Sequence, residues 1–126
     1  MLNLNHNDHR PIYEQIKEQF KQLILSGALA PDARLPSVRE LAFHLAINPN
    51  TIQRAYRELE AEGYIYSVRA KGSFVAEVNK STVKKHCTEL FDALGRTVSE
   101  LYYAGVSKDE ITLCIDEIYN KGGNQN

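Results

Sequence analysis

The chain has 126 residues, 43% hydrophobic and 25% charged with a net charge of −1, which fits one globular domain with a short appendage. No apolar run approaches the roughly 18 residues of a bilayer-spanning helix, no secretory leader is expected, and two cysteines without CxxC spacing argue against a disulfide framework or a zinc site. A balance this close to neutral also excludes an indiscriminately basic nucleic-acid binder and leaves the local placement of charge to decide.

In chain order, residues 1–10 are polar with Leu2 and Leu4 alternating, which suits a loose arm or a short edge strand. Pro11 suits the first position of a helix. Ile12, Ile16, Phe20, Leu23 and Ile24 then repeat at three and four as far as Ser26, and Gly27 is a natural stop. Residues 28–36 hold Pro31 and Pro36 and read as a loop with a brief strand at 34–35. The second helix is predicted from Ser37 to about Leu45, opened by the capping box Ser37-Val38-Arg39-Glu40 and burying Val38, Leu41, Ala42 and Leu45. After the short turn Ala46-Ile47, Asn48-Pro49 forms a second cap with proline at the first helical position. The third helix runs over 49–62 and stops at Gly63. Two capped helices so closely spaced form a helix-turn-helix, a common device for laying a helix into the DNA major groove. Residues 64–68 and 73–78 are rich in Tyr, Ile, Val and Phe. Joined by Arg69-Ala70-Lys71-Gly72, they read as a hairpin wing.

Beyond the wing, Val83, Cys87, Leu90, Leu94, Val98 and Leu101 repeat at three and four, widened by Phe91 and Tyr102, and Gly105 closes that helix. Ser107-Lys108-Asp109-Glu110 is another capping box, opening a helix with Ile111, Cys114, Ile115, Ile118 and Tyr119 on one face before a polar tail from Gly122-Gly123. Two such helices cannot hide their apolar faces against each other alone, so they must pack on the first domain or on a second copy; the second copy is favoured. The dimerisation residues are then Leu90, Phe91, Leu94, Val98, Leu101, Ile111, Ile115 and Ile118. The fold class is mainly α with a small β-wing (α+β). A winged helix-turn-helix domain over 10–78, with the helix-turn-helix at 37–62 and the wing at 64–78, precedes a helical dimerisation segment over 82–121.

Charge and side-chain type converge on the third helix. From Arg34 to Arg57 the charges are Arg34, Arg39, Arg54 and Arg57 against Glu40 alone, while Glu58, Glu60 and Glu62 follow as an acidic block, and Arg69 and Lys71 lie in the wing loop. With Ile52 at zero on a helical wheel, Ala55, Tyr56 and Leu59 fall within roughly 60°, whereas Gln53, Arg57, Asn50 and Arg54 cluster between roughly 100° and 200°. Arg matches the guanine O6/N7 edge and Asn or Gln the adenine N6/N7 edge, while Thr51 near the helix start suits a phosphate. Rival readings are a winged-helix protein-interaction module and a thiol or ligand sensor in the tail. The first lacks aromatic or aliphatic anchors on the polar face. Cys87 and Cys114, on apolar stripes, are expected as core thiols. His6 and His9 flank Asp8, and His44 and a partly exposed His86 stand elsewhere, without metal-ligand spacing. No nucleophile elbow or phosphate-cradling loop accompanies them, so no enzyme, metal or cofactor is expected.

Leu35-Pro36-Ser37-x-Arg39-Glu40-Leu41-Ala42, Ile47-Asn48-Pro49-Asn50-Thr51, Arg54-Ala55-Tyr56, Leu59-Glu60-x-Glu62-Gly63 and Gly72-x-Phe74-Val75 together resemble the GntR family of bacterial transcription regulators. Pro11-Ile12-Tyr13-x-Gln15-Ile16 is similar to that family's usual opening. The tail of about 48 residues resembles the small YtrA-type subfamily, with its short helical dimerisation segment. The resemblance implies a cytoplasmic homodimeric repressor on a palindromic operator in double-stranded DNA, often of a transporter operon, with no effector assigned. It implies that Arg39 contacts DNA, that Asn50, Thr51, Gln53 and Arg54 touch bases and phosphates, and that Arg69 and Ala70 form the wing tip. Ala70 stands where relatives often insert a glycine into the minor groove, and Pro49 replaces a contact residue of other subfamilies, which moves base readout toward Asn50 and Arg54. The DNA-binding candidates are thus Arg34, Ser37, Arg39, Asn50, Thr51, Gln53, Arg54, Arg57, Arg69, Ala70, Lys71 and Gly72.

Overall fold

The computed structural model describes residues 2–123, in two compact units divided between Val83 and Lys84. In the first unit, α1 (Ile12–Leu25), α2 (Val38–Leu45) and α3 (Pro49–Ala61) precede β1 (Ile65–Val68) and β2 (Gly72–Val75). Each of α2 and α3 starts at a side chain that satisfies an orphan amide. Ser37 Oγ accepts from Glu40 N at 3.0 Å, and Asn48 Oδ1 accepts from Asn50 N at 2.9 Å. Between them Ala46 turns the chain with φ of 55°, a left-handed position that lets Ile47 N donate back to Ala42 O at 3.1 Å. Ile16 and Phe20 of α1, Leu41 and Ala42 of α2, and Ile52, Ala55, Tyr56 and Leu59 of α3 form one buried cluster with Leu35, Tyr64, Ile65 and Val75.

The strands pair antiparallel from Ile65↔Val75 to Val68↔Gly72. They are shorter than the predicted 64–68 and 73–78, because the chain leaves the ladder after Val75 with one further bond, Ala76 N to Tyr64 O at 2.9 Å. The strand predicted at 34–35 is a single bridge, Arg34 to Phe74. Pro11 stands one place earlier than predicted, as the extended N-cap of α1 (ψ 151°) whose carbonyl accepts from Gln15 N at 3.2 Å. The arm is neither frayed nor a strand. Gln15 is buried, accepts from Asn5 N at 2.8 Å and donates to Asn5 O at 2.9 Å, while Leu2 and Leu4 pack on the core.

One edge of the α1–α3 contact is ionic. Lys21, with 3% of its side chain exposed, meets Glu62 at 2.7 Å and lies over the Tyr64 ring, while Lys17 bridges Glu58 at 3.0 Å and Glu62 at 2.9 Å. Burial works against the Glu62 carboxylate, yet hydrogen bonds from Lys21 and Lys17 hold it below the usual 4.5. Lys17 likewise holds Glu58 down. Burial would lower the Lys17 ammonium, but Glu62 and Glu58 hold it above its ordinary 10.5. A depressed carboxyl contributes stability that is complete above its unfolded value and fades as pH falls through its folded value. A raised ammonium contributes stability that fades only as pH rises through its own folded value. The gap in thermal midpoint between the natural chain and Glu62→Gln should therefore be widest near neutrality and narrow below about pH 4.5. Melts followed by circular dichroism check this, and a gap that stays constant into acid would show that these ion pairs do not set acid stability.

Helix α4 (Lys80–Tyr103) begins in the last residues of the first unit and has most of its length in the second; it starts earlier than predicted because Asn79 Oδ1 accepts from Thr82 N at 2.9 Å. Gly105, with φ of 87°, turns the chain, and Ser107 Oγ accepts from Glu110 N at 3.2 Å to open α5 (Lys108–Gly123). Helix α5 continues through Gly122 and Gly123, where a polar tail was predicted, and the remainder of that tail lies outside the described residues. Among the described residues from Lys84 onward only His86 is buried, which corrects its predicted partial exposure. Cys87 and Cys114, predicted as core thiols, are exposed, because this stretch of a single chain gathers no core of its own.

Candidate nucleic-acid interface

Helix α3 separates its two chemistries by face. Ile52, Ala55 and Leu59 are fully enclosed and Tyr56 is buried, its hydroxyl donating to Pro36 O at 2.7 Å. That bond ties α3 to the turn in front of α2, so the angle between the two helices is fixed by a buried polar contact as well as by packing. Asn50, Gln53, Arg54 and Arg57 are all exposed and Thr51 is half-buried. The missing N–H of Pro49 is no loss at a first helical position, and the next two amides are already used, Asn50 N by Asn48 Oδ1 at 2.9 Å and Thr51 N by Asn48 O at 3.0 Å.

Gln53 and Arg57 line a shallow cleft between α3 and the wing, shared with Val38, Glu60, Ser67 and Ser73. The wing is pinned there by Ser67 N, which donates to Glu60 Oε1 at 3.0 Å. At the wing tip Arg69, Ala70 and Lys71 are exposed, and Ala70 holds φ of 67°, the left-handed region that glycine favours. Gly72, at φ of 119°, a backbone conformation that favours glycine, lies near the wing tip beside Arg34, where a Cβ would stand 3.4 Å from Arg34 Nε in ordinary contact. Ser37 is used as a cap, with its hydroxyl on Glu40 N, and Arg39 is exposed in the first turn of α2. The structure thus joins Gln53 and Arg57 to the wing, and Arg34 to Gly72.

Arg54 takes the other edge of α3. Its guanidinium carbon lies 3.7 Å from the centroid of the Tyr13 ring on α1. Nη2 donates to the Tyr13 hydroxyl at 3.1 Å and Nε donates to Glu58 Oε2 at 3.2 Å. The side chain nonetheless keeps 58% of its surface exposed. Tyr13, Lys17 and Lys21 escaped the sequence reading as neighbours of this face. Their signal was present: they recur every four residues, as do Arg54, Glu58 and Glu62 opposite.

Among the described residues no group of three or more His, Cys, Asp or Glu is placed to hold a metal ion, and no helix is long and apolar enough to cross a membrane. Residues 12–75 match the family described as bacterial regulatory proteins, gntR family. The chain is similar to the HTH-type transcriptional repressor YtrA of Bacillus subtilis (strain 168), at 40% identity across 100% of this chain and 99% of that protein. Its fold is similar to the crystal structure of a transcriptional antiterminator from Listeria monocytogenes EGD-e, with a TM-score of 0.81, 35% identity, and 94% of this chain and 90% of that one covered. It is also similar to the DNA-binding domain of AraR in complex with operator ORR3, with a TM-score of 0.52, 34% identity, and coverage of 59% of this chain and 89% of that domain.

Proposed function

The chain belongs to the gntR family of bacterial regulatory proteins, and on that premise we propose that it represses transcription by binding palindromic operator DNA as a homodimer. The observation that carries this is the division of α3: a polar edge of amides and guanidinium groups beside a basic wing, backed by a face with no exposure at Ile52, Ala55 or Leu59. A helix held so firmly on one side presents the other as a rigid reader of base edges. Exposed Arg34, Arg39, Arg69 and Lys71 supply the phosphate-facing charge that a nearly neutral chain otherwise lacks, while Asn50, Gln53, Arg54 and Arg57 supply base-edge donors. That a transcriptional repressor from Bacillus subtilis matches across 99% of its length supports repression. Two copies joined through α4 and α5 would set half-sites about one helical turn apart or a multiple of it.

A gel-shift titration against the upstream region of the chain's own operon tests the reading; equal affinity for unrelated sequences at moderate salt would end it. Arg54→Ala should lose about 1–3 kcal/mol of discrimination at one base position and leave the others unchanged. Uniform weakening on every sequence would instead assign Arg54 to a phosphate.

A further inference from the structure

We propose that Tyr13, on α1 and outside the helix-turn-helix, is a positioning residue that holds the Arg54 guanidinium in its base-reading orientation. The inference rests on the DNA-reading function proposed above for α3. An arginine at the exposed edge of a helix ordinarily samples many rotamers, and that freedom is lost when it pairs with a base. Arg54 is instead held at three points before any DNA arrives. The Tyr13 ring lies 3.7 Å from Cζ, the Tyr13 hydroxyl takes an Nη2 proton at 3.1 Å, and Glu58 takes the Nε proton at 3.2 Å. Of the five guanidinium N–H groups, this leaves the Nη1 pair and one on Nη2 for acceptors on a base edge.

The holding groups are themselves held. The Tyr13 hydroxyl donates to Glu14 Oε1 at 3.3 Å, which turns a lone pair toward Arg54, and the Tyr13 side chain packs on the buried core. Glu58 is shared with Lys17 at 3.0 Å, so its carboxylate neither wanders nor brings an unbalanced negative charge toward a phosphate backbone. The pairing of Tyr13 with Arg54 is the first rung of the ladder that continues through Lys17 and Glu58 to Lys21 and Glu62. The Arg54 orientation is therefore coupled to the packing of α1 on α3.

The test is a double-mutant cycle. Dissociation constants are measured for the natural chain, Tyr13→Leu, Tyr13→Phe, Arg54→Ala and the Tyr13→Leu/Arg54→Ala pair on an operator and its single-base-pair variants. Tyr13→Leu should lower discrimination about three- to tenfold, as expected from one exposed cation–π contact and one hydrogen bond. The loss should fall at the base pair that Arg54→Ala affects, with no further loss in the Arg54→Ala background. Tyr13→Phe, which keeps the ring, should lose about threefold or less. Losses that add in the double variant, or that fall equally on all sequences, would overturn the assignment. If Arg54→Ala abolishes discrimination at its base pair and Tyr13→Leu leaves it intact, the Tyr13 role fails and the DNA-reading function stands. A natural chain without sequence preference would remove both. Should Tyr13→Leu fail to fold, proton NMR of the natural chain decides. Arg54 δ-methylene protons shifted upfield by the Tyr13 ring support the proposal, and ordinary positions overturn it.

Discussion

Phe20→Ala is expected to destabilise the chain by about 3–5 kcal/mol, a large share of the total stability of a small domain. Phe20 has no exposed surface, and its ring meets that of Tyr56 edge to face with centroids 5.7 Å apart. It stands where α1 packs on α3, so the cavity left behind would be lined by Tyr56 and its neighbours in the buried cluster. Those neighbours cannot close in freely. Tyr56 is tethered through its hydroxyl to Pro36 O, and Ile52 and Leu59 hold the same helix against the other side of the core. A site that cannot collapse keeps its cavity, which places the loss toward the upper end of the range for a large-to-small change. Urea unfolding followed by far-ultraviolet circular dichroism measures it. Phe43→Ala is the control, because Phe43 is 82% exposed and its loss should stay within about 0.5 kcal/mol. A Phe20→Ala loss of less than about 1 kcal/mol would show that α1 is not an integral layer of the core.

The elements that can be read from the sequence are those specified by neighbours in the chain. Ser37, Asn48 and Ser107 each satisfy an amide two or three residues ahead, and the helices begin beside them. The apolar set Ile52, Ala55, Tyr56 and Leu59 is buried because a 3.6-residue period leaves those positions no other direction once one face must be covered. Boundaries were harder where one residue type serves two adjacent roles. Proline fits an N-cap as well as a first helical position, and a glycine near a helix end can remain helical, as Gly122 does.

Contacts between elements distant in the chain were not legible, because their geometry exists only after packing. The interval from Tyr13 to Arg54 spans 41 residues and one other helix, α2, and no local rule relates them. Arg34 against Gly72 is similar: it needs the wing to fold back onto the loop before α2. The cysteines show a different gap. A position on an apolar stripe predicts that something will cover it, and Cys87 and Cys114 lie on such stripes yet are exposed in the single chain. Periodicity specifies the face to be covered and is silent on what covers it.

That silence makes α4 and α5 the place where the second large effect is expected. Replacing Leu94 and Ile118 together with glutamate should leave the proposed homodimer monomeric and weaken binding to a two-half-site operator by about 10²–10⁴-fold. Phe91 is 71% exposed, and Leu90, Leu94, Ile115 and Ile118 are exposed beside half-buried Val98, Leu101 and Ile111, an apolar surface that a lone chain would present to water. In the proposed dimer these side chains meet their counterparts, and four new carboxylates without partners would have to be desolvated there, a penalty far above the gain from any one leucine. The loss of operator affinity follows from tethering rather than from any change at α3. Without the partner, the second half-site is no longer offered a reader at the high local concentration that a linked copy provides. Two measurements separate this from simple damage. Sedimentation equilibrium should give the monomer mass for the variant and twice that for the natural chain, while affinity for an isolated half-site should agree between the two within about twofold. A variant that stays dimeric would move the interface elsewhere, and a natural chain that is monomeric at micromolar concentration would remove the dimer from the proposal. The substituted positions are exposed, so circular dichroism should show both helices intact; any loss on the full operator then reports assembly alone.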